Sequence, residues 1–182
     1  MPSTNYLQSI CQLFKYYKSL GEKAMAQVSD EGLHYQPNAE SNSLAIIVKH
    51  LHGNMLSRWT DFLNTDGEKE WRNREGEFED TLDSREAILK AWEEGWQCLF
   101  GAIEPLTGEQ LDDIVYIRNE GHTVLEAINR QLAHYSYHVG QMVYLARQVR
   151  GEGWQSLSIP KGGSEAYNKD KFDQDKGRRH FV

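Results

Sequence analysis

The stretch from Thr123 to Arg150 reads TVLEAINRQLAHYSYHVGQMVYLARQVR, and its spacing predicts one long helix. Thr123 is placed to cap it, and Glu126 follows at capping-box distance. Val124, Ile128, Tyr135, Met142, Leu145 and Val149, with Gln131 and His138 in register, form a core-facing stripe at helical spacing. Arg147 and Arg150 fall in the last turn, where cations suit the helix C-terminus, and Gly151 ends the run. A second stripe lies beside the first: Gln131, His134, His138 and Gln141. Residues four apart share a helix face, so two imidazoles stand side by side near a surface expected to be buried. Buried polar groups need partners. One metal ion satisfies both histidines together; ordinary hydrogen bonds at a partly exposed face are the alternative.

Three further amphipathic segments precede this helix. Residues 4–28 carry Leu7, Ile10, Cys11, Phe14, Tyr17, Gly21, Met25 and Val28 on one face. Ser29–Asn42 reads as a loop. The second segment runs from about Ser43 to Leu63, with Asn42 or Ser41 as its cap and Leu44, Ile47, Val48, Leu51, Met55, Trp59 and Phe62 inward. The third runs from Ser84 to about Glu104, with Ile88, Trp92, Trp96, Leu99 and Ile103 inward, and Pro105 and Gly108 stop it. Thr107–Leu111 suits a short helical turn, and Ile114–Arg118 a short extended piece or hairpin. Four such segments with sizeable connections imply an all-α fold, a four-helix bundle over residues 1–150. Residues 151–182 form a C-terminal extension. In it, Trp154, Leu157 and Ile159 are apolar enough to pack on the bundle or on a second subunit.

The connection Asn64–Asp83 is charge-rich and too long for a tight helix–helix turn. It reads either as a solvated linker anchored by Trp71 and Phe78 or as a loop that partly covers one end of the bundle.

A catalytic zinc-like site wants three protein ligands. His34 lies in a loop, His180 in the tail, and His122 about three turns from His134. His50 and His52 remain, on the second segment. At ~100° per residue they lie equally far from Leu51, on opposite sides of the apolar stripe, so periodicity does not separate them. His50 aligns with Ile47, Asn54 and Ser57, polar groups at buried-looking positions, and that pattern favours it. No Glu stands inside the His134–His138 pair as in His-Glu-x-x-His proteases, which weakens a thermolysin-like reading.

At this point the chain resembles the DinB/YfiT-like superfamily of four-helix-bundle metalloproteins. Ser43-Leu44, Val48-Lys49-His50-Leu51 and His134 to His138-Val-Gly-Gln141 carry the likeness. The Trp71–Phe78 loop and the Ser156–Ser164 stretch look like features of one branch of that superfamily. The resemblance implies His50, His134 and His138 as ligands of a divalent ion, zinc or nickel before iron or copper. His52, Asn54, Gln131, Tyr135 and Gln141 are then candidates to orient ligands or substrate. It also implies an enzyme that activates a low-molecular-weight thiol for S-transfer, as relatives do with mycothiol, bacillithiol or glutathione. Two other expectations stand beside it: a hydrolase using metal-bound hydroxide, and a non-catalytic structural or stress-response bundle stabilised by metal. A homodimer is expected from the apolar tail and the likeness.

The totals are consistent with these readings. The length of 182 residues suits one domain. A net charge of −7 argues against nucleic acid as partner, because tail cations such as Lys169, Lys171, Arg178 and Arg179 alternate with Asp170, Asp173 and Asp175. Cys11 and Cys98 sit in apolar helical patterns, so no disulfide framework is indicated and a reducing cytoplasm is the simplest setting. No apolar run approaches ~20 residues, so no membrane span is expected, and no secretory signal is visible at the N-terminus.

Overall fold

The computed structural model describes residues 2–177 of the chain. His180, Arg178 and Arg179 of the tail lie outside the described residues. The fold is mostly helical, with six α-helices and a two-stranded sheet among the described residues. The helices are α1 (Pro2–Met25), α2 (Asp30–Leu33), α3 (Leu44–Trp59), α4 (Arg85–Ile103), α5 (Val124–Arg150) and α6 (Ser164–Phe172). The strands β1 (Ile114–Ile117) and β2 (Glu120–Thr123) pair antiparallel just before α5. Arg118 and Asn119 make the hairpin turn, both at positive φ (56° and 62°). Helix α3 packs along α4, α1 along α5, and α3 also meets α5.

Local chemistry sets the boundaries. The Thr123 hydroxyl accepts from the Glu126 amide, and the Glu126 carboxylate accepts from Thr123 in return, closing a capping box on α5. Gly151, at φ 60°, ends that helix. Helix α3 is capped by Ser43 itself, whose hydroxyl accepts from the Ile46 amide at 3.2 Å, rather than by Asn42 or Ser41. It also stops at Trp59, short of the expected Leu63. The chain turns at Thr60, and Asp61 adopts a positive φ incompatible with helix. Helix α1 ends at Met25 rather than Val28, and Ser29 caps the four-residue α2 inside the expected loop.

Each long helix contributes one ring to a central aromatic cluster. Phe14 of α1 lies 6.5 Å from Trp59 of α3, 6.2 Å from Trp96 of α4 and 6.0 Å from Tyr135 of α5, centroid to centroid. Those separations fall in the favourable edge-to-face range. Tyr135 is fully buried, so its hydroxyl must be paired: it accepts from Trp59 Nε1 at 3.0 Å and donates to Asn54 Oδ1 at 3.0 Å. That chain of bonds sets the register of α3 against α5, one residue from His134.

The segment after α5 folds back on the chain. Trp154 and Leu157 pack against the core, and the Gln155 backbone exchanges hydrogen bonds with the Gln27 side chain. Both cysteines are free and half-buried. No helix among the described residues is long and apolar enough to cross a membrane.

Candidate metal centre

His50 lies two turns into α3 and points toward α5, where the i,i+4 pair His134 and His138 meets it. One ring nitrogen from each of the three lies within 4.8 Å of the others. His50 Nε2 and His134 Nε2 are 3.3 Å apart. Two nitrogens each ~2.0–2.1 Å from a tetrahedral ion are separated by roughly that distance. The opposite edges of two rings are held. His50 Nδ1 donates to Glu77 Oε2 at 2.9 Å, because a buried carboxylate can only accept. His138 Nδ1 donates to Gln141 Oε1 at 2.9 Å. Both bonds leave the Nε2 lone pair directed inward, the tautomer a metal ligand requires. The donor set therefore fits a divalent ion.

The support for His50 comes from the long connection between α3 and α4. Its 3-10 turn, Glu75–Phe78, presses against α3. Phe78 stacks on the His50 ring at 5.0 Å and 23°. Glu77 is buried in the space left by Gly53, where a Cβ would collide with its carboxylate. Arg72, whose side chain is only 2% exposed, grips Glu77 through two bonds of 2.7 and 2.9 Å. Arg72 also reaches Glu68 at 3.2 Å, and Glu68 is shared with Arg58 at 3.2 Å and Arg118 at 3.0 Å. Burial works against the charge of Glu77, but the bonds from His50 and Arg72 outweigh it and hold its pKa below the usual value. The solvated-linker reading thus fails at Arg72 and Glu77, and Trp71, 59% exposed, anchors nothing.

The other sequence candidates fall in distinct places. Asn54 and Gln131 line the cavity beside the histidines, Gln131 with a buried Oε1 that has no hydrogen-bond partner. Tyr135 belongs to the core. Tyr137 is exposed. His52 lies on the other side of Leu51, where its Nε2 is 3.3 Å from Glu94 Oε2 without hydrogen-bond geometry, and it does not join the cluster. His34 pairs with Asp80 at 2.9 Å, and His122 approaches Arg130 at 3.4 Å.

Burial, followed by the neighbouring imidazoles, pushes His134 down to about 3, and burial with His50 pushes His138 down to about 4. The unfolded chain binds these protons near 6.5, so it takes up more than the native state between those values. Stability of the metal-free protein is therefore lost as pH falls from about 6.5 toward 4. With a chelator present, the melting temperature is expected to drop steeply across that window. Replacing both His134 and His138 by glutamine should flatten the slope, and an undiminished slope would assign it to other groups.

A family model matches residues 2–163, a span that holds all three histidines, the Glu77 loop and the hairpin. The chain belongs to DUF1572, a family described as protein of unknown function. The DUF1572 match stops before α6, an exposed helix with no buried residue. No curated protein matches the chain, and no solved structure does.

Proposed function

We propose that this DUF1572 member is a DinB/YfiT-like four-helix bundle and a metal-dependent enzyme that transfers a small thiol. His50, His134 and His138 would hold the ion, zinc or nickel by donor type. The observation that supports this most is the convergence of three imidazoles, two with their outer nitrogens tied, on one side of an open cavity of about 290 Å³. A bound divalent ion would supply Lewis-acid character, enough to keep a thiol ionised at neutral pH.

The chain's own groups do the rest. Glu77 and Gln141 keep the ligand rings oriented. Phe78 covers His50 and excludes water from that edge. Asn54, fixed by Tyr135, and Gln131 offer polar contacts to substrate. No Asp or Glu side chain lines the cavity, and Glu77 is engaged by His50 and Arg72. Hydrolysis by an activated water is helped by a free general base, whereas an ionised thiol attacks an electrophile without one. That difference favours transfer over hydrolysis. The likeness to DinB/YfiT proteins supports a small thiol as cosubstrate, and the two free cysteines support a reducing cytoplasm as setting.

The test is turnover of a panel of alkyl and aryl electrophiles by protein loaded with zinc or nickel, with and without bacillithiol, mycothiol or glutathione. The expected result is product formation that requires both thiol and ion. Turnover indifferent to thiol would replace transfer with hydrolysis. Protein purified without chelator that retains neither ion in stoichiometric amount would remove the metal centre.

A further inference from the structure

The cavity beside the histidines is lined by five arginines, Arg58, Arg72, Arg74, Arg118 and Arg130, and by no carboxylate. This occurs in a chain of net charge −7, so the concentration runs against the protein's overall balance. Three carboxylates that do not line the cavity pair with these arginines. Glu68 serves Arg58, Arg72 and Arg118; Glu77 serves Arg72; Glu75 serves Arg74. Five guanidiniums against three carboxylates leave an excess of two positive charges. Among ion pairs of the described residues Arg130 has none; its contact is His122 Nε2 at 3.4 Å. Arg58 is buried, yet its Nε has no hydrogen-bond partner.

Arg118 supplies an independent indication. It occupies the first turn position of a two-residue hairpin at φ 56°, where Asn or Gly is favoured and a long side chain is strained. The turn itself is secured by Asp66, which accepts from the Arg118 and Asn119 amides at 2.8 Å each and so needs no arginine side chain at that position. The Arg118 side chain instead lines the cavity and pairs with Glu68, which lies outside its lining.

We propose that this cavity binds a small molecule through an oxyanion, a carboxylate or a phosphate, held by Arg118 and Arg130 at the mouth. Guanidinium forks match the planar, multidentate geometry of those groups. The opposite end of the ligand then lies beside His50, His134 and His138. The inference deepens the thiol-transfer reading, and rests on it only in placing the reactive end at the histidines: the cosubstrate is an acidic thiol rather than a neutral one.

The experiment is calorimetric titration of inorganic phosphate and, separately, succinate into wild type, Arg118→Asn and Arg130→Gln at low ionic strength. Each is run with chelator and again with one equivalent of zinc. At least one anion is expected to bind wild type saturably already in the chelated protein, and each variant should weaken it by about tenfold, the worth of one charge-assisted bond. Phosphate against succinate identifies which oxyanion the cavity prefers. The melting temperature of Arg118→Asn without ligand should stay level or rise, since asparagine relieves the turn. No saturable binding of either anion, or equal affinity in wild type and both variants, overturns the proposal. Loss of zinc binding with anion binding intact would remove the metal reading and leave this one standing.

Discussion

Replacing Glu77 by alanine is expected to cost about 3–5 kcal/mol of stability, the usual consequence of removing one partner from a buried ion pair. The Arg72 side chain is 2% exposed and donates two of its bonds to Glu77; without that carboxylate only Glu68 remains to it. His50 Nδ1 also loses its acceptor, so its ring is free to turn and to change tautomer. Loss of such a supporting carboxylate costs typically ~10–100-fold in metal affinity. Glu77→Gln keeps the shape and one acceptor, so its cost should be smaller on both measures. Gly53→Ala should imitate the alanine variant in part, because the new methyl group would occupy the space of the Glu77 carboxylate. Urea unfolding of the chelated proteins, with zinc affinity from chelator competition, measures both effects. A Glu77→Ala protein within ~1 kcal/mol of wild type and equal to it in zinc affinity would make Glu77 an incidental neighbour.

The same network shows which parts of the molecule were readable in the sequence. Helix α5 was readable to the residue, because Thr123, Glu126 and Gly151 signal its ends chemically and its stripe repeats over seven turns. The histidine pair followed from i,i+4 spacing alone. The choice between His50 and His52 did not follow from spacing, since both sit 100° from Leu51. Packing separates them: one side of α3 faces α5 and the other faces α4, where the His52 backbone abuts Gly95. Which neighbour takes which side is a tertiary fact, and its one local trace is the polar pair Asn54 and Ser57 in line with His50.

The arginine wall was missed for a related reason. Arg58, Arg72, Arg74, Arg118 and Arg130 come from α3, the long connection, the hairpin and α5, and no sequence window contains them together. Charge in a loop without periodicity also reads as solvation by default. Arg72 and Glu77 break that rule because they neutralise each other in the space left by Gly53. A charged loop with Arg and Glu five apart, opposite a glycine within an otherwise apolar helix, was the available clue. Trp71 was the misleading one: an aromatic residue among charges looks like an anchor, yet its neighbour Arg72 turns inward instead.

Substituting each of the three clustered histidines separately gives the most discriminating result for the proposed centre. Zinc at about 100 times its dissociation constant is expected to stabilise wild type by ~2.7 kcal/mol if the unfolded chain does not bind it. For a chain of this length that corresponds to a rise of roughly 5–10 °C in melting temperature. His50→Ala, His134→Ala and His138→Ala should each abolish the rise, because two remaining imidazoles do not hold an ion tightly. His52→Ala should keep it in full, since His52 lies on the α4 side of α3. The chelated variants should not share one stability. His134→Ala removes a ring whose burial already disfavours its charged form, so below pH 6 it should melt above chelated wild type. His50→Ala leaves Glu77 with Arg72 alone and should melt lower. A ligand substitution that gains stability without metal while losing the metal response is the mark of a site kept for function rather than for folding. Retention of the zinc-induced rise in His50→Ala, or its loss in His52→Ala, would move the third ligand to the other face of α3.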